Sequence, residues 1–281
     1  MKFGTHVSIA GGIENAPLNA AKQKCEVFQI FDRSPRGGKP NYDAKSIGRL
    51  KTNCQKFGFK EYYIHAPYYI NLASADSRIR HGSIATLRDE LEAGSAIGAK
   101  YLMFHMGSSR DFGKEKSTKL AIEGINEILK GYKGNCQLLI ENSAGSGHIM
   151  GSAFEEIGHI LKKIKNKNVG VCFDTCHAFA SGYDLRDKKA ITATFKKFDE
   201  IIGLDKLKLF HFNDSKTDLN SHVDRHENIG DGFIKQQGFV ELLHFSKINK
   251  INAILETPDT SDENCKSLQI LKQSRSKGIK A

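Results

Sequence analysis

The stretch VGVCFDTCHAF, residues 169–179, decides the fold. Its first half is apolar and β-branched, the composition of a buried strand. Its second half places a carboxylate, Asp174, and an imidazole, His177, where that strand would stop. Both are metal-ligand types, and neither would be chosen to fill a core. Cys172 and Cys176 flank Asp174, a weak metal signal, because Cys172 belongs to the strand interior where a small hydrophobe fits.

Outward from this stretch the same layout recurs about eight times. Strands are expected at residues 3–9, 25–31, 61–67, 99–107, 137–143, 168–174, 207–214 and 251–257. Helices are expected near 14–24, 43–57, 76–97, 116–130, 153–165, 188–202, 234–245 and 262–276, with a long polar loop between 214 and 232. Short apolar strands alternating with helical segments imply a parallel sheet. Eight such units fit one closed (β/α)8 TIM barrel spanning residues 1–281 as a single domain. The alternative is an open doubly wound sheet, but no Gly-x-Gly-x-x-Gly follows the first strand.

The residues that end the strands form a pattern. The third ends in His65, the fourth in His105, the fifth in Glu141, the sixth in Asp174, the seventh in His211 and the eighth in Glu256. Barrel strands converge at their C-terminal rim, where active sites sit. A lone histidine is more often a hydrogen-bonded core residue, and a lone glutamate often caps a helix. Six consecutive strands ending in ligand types are hard to obtain by chance, and this set binds divalent Zn, Mn or Fe. His177 lies just past the sixth strand, where a turn would aim it at a neighbouring ion. Asp224 and His226, two apart in DRHENIGDG, face the same way in an extended loop. Together with His177 they form a trio with room for water or substrate. Nine ligands suit two or three ions with a bridging carboxylate. Clustered ions clamp the attacking and leaving oxygens of a phosphoryl displacement and acidify bound water.

At these residues the chain resembles endonuclease IV, the metal-dependent apurinic/apyrimidinic endonuclease family of base excision repair. The similarity runs through HVSIAGG, IHAPYYINLAS, HMGS, LLIENSAGSG, VGVCFDTCHAFASGYDLR, HFNDSK, DRHENIGDG and LETP. The resemblance implies a TIM barrel with a trinuclear zinc site, in which Mn2+ replaces part of the Zn2+. It assigns His65 and His105 to the first ion and makes Glu141 a bridge to the second. Asp174, His211 and Glu256 complete the second, and His177, Asp224 and His226 hold the third. The implied reaction is hydrolysis of the phosphodiester 5′ to an abasic site by a metal-hydroxide mechanism. It leaves a 3′-hydroxyl and a 5′-deoxyribose phosphate, with 3′-end cleaning as a second activity. Glu141 and Glu256 are the candidates for orienting the water.

The implied partner is double-stranded DNA carrying abasic sites or blocked 3′ ends, bound by a monomer. In this family the abasic nucleotide turns outward, which is cheapest where a base is already missing. Arg36, in FDRSPRGGKP, matches the arginine that enters the minor groove, and Tyr68 and Tyr69 match residues that fill the gap beside the lesion. Arg33, Lys39, Arg186, Lys216 and Arg225 are candidate phosphate contacts. The chain departs from the family in four places. Gly37 and Gly38 stand where a tryptophan is common, Met106 replaces a proline, Asp231 a glutamate and Tyr69 a leucine.

Lys and Arg number 42 against 32 Asp and Glu, a formal charge of +10 that favours an anionic partner. No apolar run reaches the length of a membrane span, and MKFGTHVSIAGG is too short and polar for a signal peptide. The expected location is the cytoplasm, on the nucleoid, with the six cysteines as free thiols. Two other functions fit a barrel: a metal-dependent sugar-phosphate isomerase or epimerase, and a non-enzymatic DNA-binding barrel. The His177, Asp224 and His226 trio and the Arg36 loop oppose the first. Nine ligand-type residues oppose the second.

Overall fold

The computed structural model describes residues 1–33, 38–40 and 42–277. Eight parallel strands form the TIM barrel: β1 (Phe3–Thr5), β2 (Phe28–Ile30), β3 (Tyr62–His65), β4 (Tyr101–Phe104), β5 (Gln137–Glu141), β6 (Gly170–Asp174), β7 (Leu207–His211) and, after a short hairpin, β10 (Ala253–Leu255). The hairpin, β8 (Asp214–Ser215) with β9 (His226–Glu227), lies inside the expected polar loop. The strands run β1-β10-β7-β6-β5-β4-β3-β2 around the sheet. The ring closes between β1 and β2 through a parallel bridge of His6 with Gln29, where Val7 N donates to Gln29 O at 2.8 Å. At this seam the backbones pass so close that a Cβ on Gly4 would sit 1.7 Å from Val27 O.

The strands are shorter than expected because the ladder stops where the chain turns into the rim loops, while the apolar pattern runs on. His105 and Glu256 therefore lie just beyond β4 and β10. The two-residue period of a strand decides what points inward. Val27, Tyr63, Met103, Leu139, Cys172, Leu209 and Ile254 belong to one buried cluster that fills the barrel. Two residues beyond each stand Gln29, His65, His105, Glu141, Asp174, His211 and Glu256. The apolar layer is thus a floor, and the next inward layer is almost entirely ligand types. Outward-facing residues such as Phe104, Ile140, Phe173 and Phe210 pack in the second, larger core beneath the helices.

The helices are α1 (Ala16–Lys22), α2 (Ala44–Phe57), α3 (Ser77–Ile97), α4 (Gly113–Leu129), α5 (Phe154–Lys163), α6 (Thr175–Ala180), α7 (Lys188–Ile201), α8 (Lys235–His244) and α9 (Lys266–Lys277). The side chains of Asp43, Asp76 and Asp187 accept from the first turns of α2, α3 and α7. Each such cap contributes about 1 kcal/mol. Where the sequence suggests only a turn, the chain forms helix α6. Asp174 caps it, accepting from His177 N at 2.8 Å. No helix among the described residues is long and apolar enough to cross a membrane.

Candidate metal centre

The floor of the barrel's C-terminal rim carries three adjoining clusters. In the first, Glu141 Oε2 lies 3.1 Å from His65 Nε2 and 3.6 Å from His105 Nε2. In the second, His211 Nδ1 lies 2.9 Å from Glu141 Oε1, 3.3 Å from Glu256 Oε2 and 3.9 Å from Asp174 Oδ2. In the third, His177 Nε2 lies 3.1 Å from Asp224 Oδ2 and 3.4 Å from His226 Nε2, which is itself 3.5 Å from Asp224 Oδ1. All nine expected residues therefore meet in one bowl. Glu141 faces the first two clusters with different oxygens. Asp174 faces the second and third, since its Oδ2 is also 3.6 Å from His226 Nε2.

Four of the histidines are oriented by an acceptor on the far side of the ring. His65 Nδ1 faces Ala66 O at 2.6 Å, His177 Nδ1 faces Asn142 O at 3.0 Å and His226 Nδ1 faces Glu256 O at 3.2 Å. His211 instead turns Nε2 to the side-chain oxygen of Gln29, at 2.9 Å. A carbonyl has no hydrogen to give, so each of these nitrogens carries the proton and donates. In a neutral ring the opposite nitrogen then presents a lone pair. Those lone pairs point at carboxylate oxygens and, for His177 and His226, at each other. Acceptors that face acceptors in a buried space need a cation between them. The donor set, imidazole nitrogen with carboxylate oxygen, suits divalent Zn, Mn or Fe, and the outer hydrogen bonds are the kind that fix metal-binding histidines. The residues present fit a metal cluster.

The charges agree. Burial opposes ionisation of Glu141, but His211 and His105 outweigh it and hold its carboxyl well below the usual range. Burial likewise opposes a charge on His177, yet Asp174 and Asp224 push its pKa up to about 10. Burial takes His105 the other way, down to about 4. The bowl is a region of ionised carboxylates that draws positive charge.

Both flanking cysteines reach this region. Cys172 Sγ lies near the ligand atoms of Glu141 and His211, and Cys176 Sγ near those of Asp224 and His226. Burial pushes the Cys172 thiol up to about 12 and the Cys176 thiol higher still. A protonated thiol is a poor ligand.

Tyr68 and Tyr69 are exposed beside the bowl, 70% and 49% respectively. They line a cleft of about 650 Å³ with His105, His177, Asp224, Arg225 and Glu256. Tyr68 leans on Phe31 and His65, with ring centroids 5.5 and 5.4 Å away. Arg36 lies outside the described residues. Arg33 is no phosphate contact, because it is buried. Its Nε donates to Glu90 Oε1 at 2.6 Å, and its other nitrogens donate to Gly38 O and Thr86 O. Lys39 and Arg186 are paired at the surface with Asp89 and Asp184, and Lys216 lies 3.8 Å from Glu227. Of these five candidates, Arg225 is the one that borders the cleft.

Sequence reasoning overlooked Gln29, because glutamine is not a metal-ligand type. The signal was its position: it follows Val27 as Glu141 follows Leu139.

Comparison with known proteins matches this geometry. The AP endonuclease 2 family, described as a xylose isomerase-like TIM barrel, matches residues 18–276. A protein of Nitrosopumilus maritimus named probable endonuclease 4 is 39% identical over 272 residues, covering 94% of this chain and 96% of that one. The crystal structure of endonuclease IV from Thermus thermophilus superposes with a TM-score of 0.87 at 30% identity, covering 98% of both chains. A D-tagatose 3-epimerase-like protein gives a TM-score of 0.74 at 22% identity, covering 98% of this chain and 97% of that one, a likeness of fold alone. The chain belongs to the endonuclease IV family of AP endonucleases.

Proposed function

We propose that this chain hydrolyses the phosphodiester 5′ to an abasic site in double-stranded DNA, leaving a 3′-hydroxyl and a 5′-deoxyribose phosphate. It also clears blocked 3′ ends, and it acts as a monomer. The observation that carries the reading is the set of facing acceptors at the rim, which fits His65, His105 and Glu141 holding one ion. Glu141, Asp174, His211 and Glu256 would hold a second, and His177, Asp224 and His226 a third. The ions are Zn2+, with Mn2+ replacing part of it. Bound divalent cations supply Lewis acidity towards a phosphate and a water at neutral pH.

The chain's own groups do the positioning. Glu141 links the first two clusters from the barrel floor, fully buried, so its geometry is set before substrate arrives. Glu256 borders the cleft, and its carboxyl is held below the usual range: burial resists, but His211 prevails. Ionised and partly accessible, it orients the attacking water by accepting from it. Tyr68 and Tyr69 present aromatic faces on which bases next to the gap stack. The +10 charge favours approach to the DNA backbone. Arg36 enters the groove beside the lesion.

An isomerase or epimerase has the fold in its favour but leaves the trio of His177, Asp224 and His226 without a task. A duplex with one synthetic abasic site, labelled at each end, tests the reading. The expected upstream product ends in a 3′-hydroxyl that a polymerase extends. An unsaturated aldehyde at that end, the mark of β-elimination, would contradict hydrolysis.

A further inference from the structure

Gln29 sits on the seam of the barrel, fully buried, and its amide is satisfied on three sides. Its Nε2 donates to Glu256 Oε1 at 2.7 Å and lies 3.2 Å from His6 Nδ1, while its Oε1 faces His211 Nε2 at 2.9 Å. The orientation follows from Glu256. An ionised carboxylate only accepts, so the amide nitrogen must face it, and the amide oxygen must then face His211. His211 therefore carries its proton on Nε2 and turns the bare Nδ1 to Glu141, Asp174 and Glu256. His65, His177 and His226 are set the opposite way round by main-chain carbonyls. No side-chain substitution removes those partners, but one at Gln29 removes this one.

We infer that Gln29 is a positioning residue for the second cluster, fixing the tautomer of His211 and the rotamer of Glu256 so that both offer lone pairs to the same ion. The inference rests on the metal reading of the centre. It gives His6, of the HVSIAGG motif, a place as well: its ring packs on Phe31, with centroids 4.2 Å apart, and its Nδ1 accepts the remaining amide hydrogen. The seam between β1 and β2 is thereby tied to the site through side chains.

The test uses the as-purified protein, Gln29→Met, which keeps the volume and removes the amide, and Gln29→Glu, which keeps an acceptor opposite His211. Each is dialysed against buffered Zn2+ with a competing chelator, and bound zinc is counted by elemental analysis. Gln29→Met should hold one of its ions about 10–100-fold more weakly and the others as the wild type does. Gln29→Glu should recover part of that loss. Nitrogen NMR of histidine-labelled protein should show His211 as the Nε2–H tautomer in the wild type and a mixture in Gln29→Met. Unchanged zinc affinity in Gln29→Met, or an Nδ1–H His211 in the wild type, would overturn the inference. The tautomer measurement on the wild type decides even if a variant fails to fold. A wild-type protein that binds no divalent metal would sink the parent reading and this inference together, whereas metal retained equally by both proteins sinks this inference alone.

Discussion

The two sides of the metal centre are built differently. His65, Glu141, Asp174 and His211 end barrel strands and are almost wholly shielded, with His105 and Glu256 one step beyond. On the other side His177 rides a helix of six residues, and Asp224 and His226 come from the long loop after β7. The Asp224 side chain is 52% exposed and the Glu141 side chain 0%. A strand end is held by its ladder and by the apolar floor below, so its geometry costs nothing extra when an ion arrives. A loop ligand must be held by something else. Here that is the β8–β9 hairpin, which pairs His226 with Ser215, and Asp214, whose two oxygens accept from the N–H groups of Gly230, Gly232 and Ile234 just beyond it. The strand-borne side is therefore preorganised by the barrel, and the other side by a short hairpin, helix α6 and one buried carboxylate.

This contrast can be broken at several points. Glu141→Gln removes a carboxylate shared by two clusters. It should lower incision of an abasic duplex by about 10³-fold or more, the scale of losing one transition-state-stabilising group, with an unchanged circular dichroism spectrum. Near-wild-type incision would refute its bridging role. Asp224→Asn touches only the loop side. Elemental analysis should find one ion fewer per chain and the others retained, with incision down about 10²-fold; loss of all ions would show the two sides to be one unit.

Asp214→Ala reaches no ligand directly. It should weaken retention of the loop-borne ion and cost about 1–3 kcal/mol through unpaired amides. Equal weakening at every ion would mean that the loop is not held separately. The smallest effect concerns two buried carboxyls, Asp32 just after β2 and Glu90 on α3. Burial raises Asp32 to about 7 and Glu90 to about 9. A carboxyl with a raised folded pKa stabilises the fold below its unfolded pKa, and that contribution is lost as pH climbs through the folded value. Wild-type Tm should thus fall between pH 5 and 8 relative to Asp32→Asn, by about 2–4 °C for each kcal/mol. Parallel melting profiles would contradict the assignment.

The strand side was legible in the sequence, because each strand is an apolar run with a chemically conspicuous residue at its end. The loop trio was legible from the alternation in DRHEN and the family motifs, though not helix α6, whose only local cue is Asp174 acting as cap as well as ligand. Arg33 was misread as a phosphate contact because its partner, Glu90, lies on α3, far along the chain. Gln29 was missed because its chemistry is ordinary and only its register is telling. Position within a layer carries information that residue type does not.

The central claim is that facing acceptors at the barrel rim hold cations without which DNA is not cut. The direct measurement is incision of a synthetic abasic duplex before chelation, after chelation and after return of Zn2+ or Mn2+. The account predicts cleavage, its loss, and its recovery. Undiminished cleavage by protein shown to be free of metal would contradict it.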